Sequence, residues 1–143
     1  MKHVIFTGLM LLLSVAAFAQ NALSPEEEAK KIRESIDKEV ERLTTLLDLA
    51  DWQVFYVDST LSYNVPAMRA EQKVLQESKV SNTDLYWRTV DTWQEATFRQ
   101  YRKIFNDAQW NRFMKSGGAK EQKAREKRAA KAEKAALKVK NEK

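Results

Sequence analysis

The sequence contains no cysteine, and its one histidine is His3. The lack of cysteine excludes disulfides, thiolate metal sites, thiol nucleophiles and a lipid carried on a cysteine. The lack of any later histidine removes the commonest general base near neutral pH and a preferred zinc ligand. Carboxylates remain as possible ligands, and on their own they form only weak metal sites. We therefore predict a protein that is not an enzyme and binds no cofactor and no metal.

Glycine and proline are also scarce, with three and two copies in 143 residues. Folds built from strands and turns need more of both residues, whereas abundant Ala, Glu, Lys and Leu favour helices. The fold class predicted is all-α. We expect a long helical hairpin or a small bundle of about four helices, followed by a basic C-terminal arm that is helical or disordered.

The N-terminus has the pattern of a secretory signal. Lys2 lies in a short basic start, residues 4–17 form an apolar run, and Ala17 and Ala19 place small residues where a signal peptidase reads. The run is shorter than the roughly 20 residues that a membrane-spanning helix needs. We predict that residues 1–19 are cleaved, so that the protein is exported, and is periplasmic if the source is a Gram-negative bacterium.

The first two predicted helices each carry an apolar stripe at helical spacing. Ser24 and Glu27 form a capping box with Pro25 at the first helical position, which predicts the start of helix one. Helix two is expected to begin with Asp51 as its N-cap and to end near residue 79. Pro66 lies inside it, so a kink or a split near residues 63–65 is expected.

Helix three is predicted to follow a cap at one of residues 81–83. A short helix four then follows a cap at Asn106 or Asp107, spans residues 108–115, and is ended by Gly117 and Gly118. Residues 119–143 hold eight Lys and two Arg against four Glu, a net charge of +6. Since the whole chain carries +5 and Lys2 belongs to the signal, residues 20–118 sum to −2.

Two similar segments mark the starts of helices two and four. Each has an apolar residue, a small or capping residue, two variable residues and a glutamine that can reach back to free backbone N–H groups. The segments are Leu49-Ala50-Asp51-Trp52-Gln53 and Phe105-Asn106-Asp107-Ala108-Gln109. This arrangement resembles the LTxxQ family of exported proteins, the Spy/CpxP group, over about residues 29–115. Ala50 stands where the family has Thr, and Phe105-Asn106 stands where it has Leu-Thr.

The resemblance implies a thin, curved helical hairpin that dimerises and binds unfolded or stress-exposed proteins on its concave face without ATP. Some relatives instead modulate an envelope sensor, and some bind metals. The motif positions carried over to this chain are Leu49, Asp51, Gln53, Phe105, Asn106 and Gln109.

Helix two has a second apolar face, opposite its main stripe, which a helix must bury between neighbours or offer to a partner. This face holds Trp52, Tyr56, Tyr63, Ala67, Ala70 and Val74. On helix three, a strip beside the main stripe holds Trp87, Phe98 and Phe105. Three interpretations remain open: core of one bundle, a homodimer interface, or an exposed client-binding surface formed by Trp52, Tyr56, Tyr63, Trp87 and Phe98.

The basic segment 119–143 contains only Leu137 and Val139 as apolar residues beyond alanine, so it is not expected to bury a face. Its positive charge favours contact with anionic lipid or a polyanion, but no motif for specific nucleic-acid binding accompanies it. The sequence therefore predicts a signal over residues 1–19, an LTxxQ-like helical domain over 20–118 and a basic tail over 119–143. The function predicted is ATP-independent holding of partly unfolded clients. The alternatives are a ligand of an envelope stress sensor, or a polyanion- or membrane-surface-binding protein acting through its tail.

Overall fold

The computed structural model describes residues 23–141, and within that range the chain is all-α with no strand. The predicted fold class, a small helical bundle with a basic helical arm, is confirmed. The predicted signal lies outside the described residues. Within residues 23–141, no helix has the combined length and apolarity that crossing a bilayer requires. The helices are α1 (Pro25–Leu47), α2 (Asp51–Glu77), α3 (Thr83–Ile104), α4 (Asp107–Phe113) and α5 (Ala119–Asn141).

Helix α1 begins with the predicted capping box. The Glu27 backbone N–H donates to Ser24 Oγ (3.2 Å), and the Ser24 N–H donates to Glu27 Oε2 (3.0 Å). The hydrogen bond from the Ser24 backbone N–H to the Glu27 carboxylate holds the pKa of Glu27 below its ordinary value. The helix ends at Asp48, whose left-handed backbone (φ 53°) turns the chain while its N–H still donates to Thr44 O. Aspartate tolerates this conformation better than most residues.

Helix α2 packs against both α1 and α3 and forms the centre of the bundle. It runs as one helix from Asp51 to Glu77 although Pro66 lies inside it, so the alternative of a split at Pro66 is wrong. Packing on two sides explains this result, because tertiary contacts offset the single backbone hydrogen bond that the proline removes.

The core is formed by the stripes that the sequence predicts on α1, α2 and α3. Four aromatic rings lie close together at one end of this core, with centroids 5.0 Å apart for both the Phe98–Phe113 and the Tyr101–Phe105 pairs. Burial raises the pKa of Tyr101 well above its ordinary value. The buried cluster consists of Ile36, Leu43, Leu47, Leu49, Val57, Leu61, Phe98, Tyr101, Ile104, Phe105 and Phe113.

Charged side chains also join α1 to α2 along the outside of the bundle. The Arg33 guanidinium contacts the carboxylates of Asp37 and Asp58 and donates to Ser62 Oγ at 2.8 Å. The hydrogen bond from Arg33 holds the pKa of Asp37 below its ordinary value. These contacts are exposed to solvent, so each contributes little to stability.

The junction between α4 and α5 differs from the prediction that two glycines end helix four. A π-helical turn over Met114–Gly118 follows α4 directly, and α5 continues from it. Gly117 has φ 131°, a conformation that only glycine adopts without strain. A Cβ added at Gly118 would lie 2.8 Å from a ring carbon of Phe113. The two glycines therefore redirect the chain and allow close packing, and the helix resumes beyond them.

Candidate functional site

The two motif glutamines, 56 residues apart in the sequence, meet in the interior and bond to each other. Gln53 Nε2 donates to Gln109 Oε1 (2.7 Å), and Gln109 Nε2 donates to Gln53 Oε1 (3.0 Å). Both side chains are buried. We call Gln53 and Gln109 the glutamine pair. Since each amide offers donors and an acceptor, a reciprocal pair satisfies both in the core.

The first motif starts α2 with half of a capping box. Gln53 Oε1 accepts from the Ala50 N–H at 3.0 Å, but Ala50 has no side-chain acceptor for the return hydrogen bond. The prediction that Asp51 is the N-cap is wrong: Ala50 occupies that position, and Asp51 is the first helical residue, where an acid favours the helix dipole. Leu49 is buried in the core beside this start.

The second motif starts α4 with a complete capping box. Asn106 Oδ1 accepts from the Gln109 N–H (2.8 Å), and Gln109 Oε1 accepts from the Asn106 N–H (3.0 Å). Asn106 is therefore the cap, which resolves the choice between residues 106 and 107. Phe105 is buried just outside the helix, in the position that Leu49 holds in the first motif. In both motifs, an apolar residue is buried just outside the helix and the glutamine accepts a hydrogen bond from the N–H of the cap residue.

Each motif glutamine also donates a hydrogen bond to the last carbonyl of the helix that precedes the other motif. Gln53 Nε2 donates to Ile104 O at the end of α3 (2.8 Å), and Gln109 Nε2 donates to Leu47 O at the end of α1 (3.2 Å). Arg112 of α4 adds a hydrogen bond to Leu46 O. The last carbonyls of a helix have no partner within it, so these side chains supply one. The glutamine pair is therefore a structural junction that joins four helix ends.

Four aromatic side chains form an exposed row on α2, which we call the aromatic strip: Trp52, Phe55, Tyr56 and Tyr63. Their exposed fractions are 56, 65, 53 and 71%. Rings contact their neighbours edge to face, with centroids 6.3 Å apart for Trp52–Tyr56 and 5.4 Å for Phe55–Tyr56. In the single chain this face is not core, which removes the first of the three interpretations for α2. Sequence reasoning missed Phe55, which lies about 60° around the helix from Trp52.

The two aromatic residues of α3 that were predicted to belong to the exposed surface, Trp87 and Phe98, are half-buried and buried in the structure. Phe98 is buried in the core, so it belongs to no exposed surface, and that prediction is wrong. Trp87 is half-buried, with the Arg128 guanidinium 4.5 Å above its ring. Tyr63 of the aromatic strip reaches the ring of Trp93 on α3, with centroids 6.2 Å apart. This ring contact joins the aromatic strip of α2 to α3.

Helix α5 contacts α3 through two arginines, which differs from the expectation that the basic segment has no face to bury. Arg128 makes a two-pronged contact with Asp91, each N···O distance being 2.7 Å, and this hydrogen bonding raises the pKa of Arg128. The Arg125 guanidinium lies 4.2 Å above the ring of Phe98 and is buried. The physical reason is that arginine stems cover apolar surface while their planar heads stack on rings.

Beyond residue 129, α5 is exposed on all sides up to its last described residue. Six lysines fall on one side of the helix, which we call the lysine face: Lys120, Lys123, Lys127, Lys131, Lys134 and Lys138. All six are exposed. Their spacing of three or four residues places them within about a quarter of the circumference of the helix.

Among residues 23–141 there is no group of three or more Asp and Glu side chains close enough to hold a metal ion. The two buried amides of the glutamine pair serve as hydrogen-bonding partners for helix ends. Comparison with known proteins adds no assignment: no family model, no curated protein and no solved structure matches this chain.

Proposed function

We propose that this chain is an exported, chaperone-like protein that holds partly unfolded clients on the aromatic strip of α2 without ATP. The observation that carries the proposal is the exposure of Trp52, Phe55, Tyr56 and Tyr63 on one helix face. Apolar rings gathered on a surface are typical of protein-binding sites. The strip extends about 16 Å along the helix, which suits a short apolar segment of a client.

The strip is held on a rigid support. Helix α2 packs against α1 and α3, and the glutamine pair fixes its first turn, next to Trp52. A preformed surface of this kind loses little conformational entropy when a client binds. Burying about 400 Å² of apolar area stabilises a complex by roughly 10 kcal/mol before the cost of association, which leaves weak binding. Weak binding allows release without an energy source.

We also propose that the chain is an LTxxQ-like protein, not an enzyme, and that it forms a homodimer. The reciprocal bonding of Gln53 and Gln109 supports the view that the two motifs act as one unit. The strip gathers four exposed aromatic rings on one helix face, which supports self-association through part of it.

In the experiment, a client protein aggregates after its disulfides are reduced, and light scattering monitors that aggregation. The measurement is repeated in the presence of the protein and of each variant. The triple variant Trp52→Ser/Tyr56→Ser/Tyr63→Ser removes exposed rings, so its helicity should be unchanged while holding falls at least severalfold. The matched control Leu137→Ser/Val139→Ser removes exposed apolar side chains of α5 and should hold as well as the wild type. A triple variant as active as the wild type would exclude the strip as the client surface.

A second function is supported by a separate observation, the exposed lysine face of α5. Six cations along about 27 Å of helix provide affinity for an anionic lipid surface or a polyanion without sequence preference. Binding of this kind weakens steeply with salt, whereas holding through apolar rings does not. Flotation with anionic vesicles at low and high salt separates the two functions, with Lys127→Gln/Lys134→Gln as the variant expected to weaken vesicle binding only.

A further inference from the structure

A groove of about 840 Å³ lies between α3 and residues 122–135 of α5. Its lining combines aromatic rings with cationic side chains. Trp87 and Phe98 of α3 and Trp110 of α4 supply the rings, while Ala129 and Ala132 form a wall on α5. Aromatic and alanine surface beside charged side chains is suited to a small amphipathic ligand.

Arg125 is the most buried cation in this groove, with 8% of the residue exposed. Its guanidinium lies over Phe98, and its Nη1 has no hydrogen-bond partner among the described residues. Burial lowers the pKa of Arg125. A buried guanidinium N–H without an acceptor is unfavourable, and an added carboxylate would relieve that cost.

The acids of the groove do not supply this acceptor. Asp91 is engaged by Arg128, and Glu126 accepts from Gln122 Nε2 at 3.0 Å. Asp84 and Glu95 are exposed, and neither bonds to Arg125. The lining is cationic on balance, with four acids against six cations: Arg88, Arg99, Arg102, Arg125, Arg128 and Lys131.

We propose that this groove binds a carboxylate carried on an apolar body. The carboxylate accepts hydrogen bonds from Arg125, whose planar fork matches carboxylate geometry, and the apolar body lies against Trp87 and the alanine wall of α5. A free fatty acid and the C-terminus of an apolar peptide both carry this chemistry. The groove shares no residue with the aromatic strip, so this proposal can be tested independently of client holding.

The experiment titrates the purified protein with two probes by isothermal calorimetry at neutral pH and low salt. One is decanoate, kept below the concentration at which it forms micelles, with decanol as its neutral control. The other is an apolar pentapeptide with a free C-terminus, with the amidated peptide as its control. We expect at least one carboxylate probe to bind about tenfold or more tightly than its neutral control, because hydrogen bonds to charged groups are worth that much. The probe that binds identifies the source of the carboxylate.

Three variants test the residues. Arg125→Met keeps an unbranched apolar side chain at this position but removes the guanidinium and its charge, and it should weaken binding about tenfold or more. Ala132→Leu fills the groove without touching Arg125 and should weaken binding severalfold. Lys127→Gln removes one charge from the same helix outside the groove and should leave affinity within about twofold at the low salt used. If neither carboxylate binds, if the neutral controls bind equally well, or if both groove variants bind as the wild type does, the proposal is wrong.

Discussion

Replacing Gln109 by methionine tests whether the glutamine pair stabilises the bundle as a unit. The substitution keeps the length and volume of the side chain, so packing is nearly unchanged. It removes four hydrogen bonds, two shared with Gln53 and one each to Asn106 N and Leu47 O. At about 1 kcal/mol for each bond, the free energy of unfolding should fall by about 4 kcal/mol, and Tm by about 15 °C.

The double variant separates a coupled pair from two independent caps. Gln53→Met also removes four hydrogen bonds, but two of them are the same two, so the double variant loses six. The double variant should therefore be about 2 kcal/mol more stable than the sum of the two single losses implies. Urea unfolding followed by circular dichroism at 222 nm measures all three values.

Gln72→Met is the matched control, because Gln72 is also buried on α2 but lies 19 residues, or about 28 Å, from Gln53. Its effect should add to that of Gln109→Met within about 0.5 kcal/mol. Strict additivity between Gln53→Met and Gln109→Met would refute the reasoning, since the two amides would then act separately.

Three other predictions follow from single features. The purified protein should scatter light as a dimer at micromolar concentration, and Tyr63→Glu should reduce it to a monomer; a monomer at all concentrations would contradict this. Zinc should bind no more tightly than micromolar by calorimetry, since no imidazole or thiol is available after residue 3. Burial raises the pKa of Tyr101 in the folded state, so stability that is full below pH 10 should be lost as pH rises further. Tyr101→Phe should flatten the alkaline fall of Tm, and an equal fall in both proteins would exclude Tyr101 as its cause.

Local features of the fold were predictable from the sequence because they depend on residues close together along the chain. The Ser24–Glu27 box and the Asn106–Gln109 box each join residues three positions apart, and both form. The choice of Asp51 over Ala50 as a cap failed because Gln53 alone, reaching back to Ala50 N, is sufficient to start α2.

Contacts between distant segments were not predictable in the same way. Both motif glutamines were identified, but nothing in a three-residue cap shows that its amide will meet another amide 56 residues away. The burial of Phe98 was missed because two rings of α4 and the guanidinium of Arg125 cover it, and a search for apolar stripes does not count arginine as a covering residue. The same omission made residues 119–129 look like a segment with no face to bury.

The hydrogen bonds from the glutamine pair to distant helix ends have a consequence for folding during synthesis. The carbonyl of Leu47 ends α1, but the side chain that bonds to it belongs to a residue synthesised 62 positions later. At about 5–20 residues per second, a nascent chain waits roughly 3–12 s for that partner. During this interval α1 and α2 have apolar stripes without their final neighbours and helix ends without their final hydrogen bonds. The carbonyls that end α1 therefore lack their side-chain partners until α4 has been made.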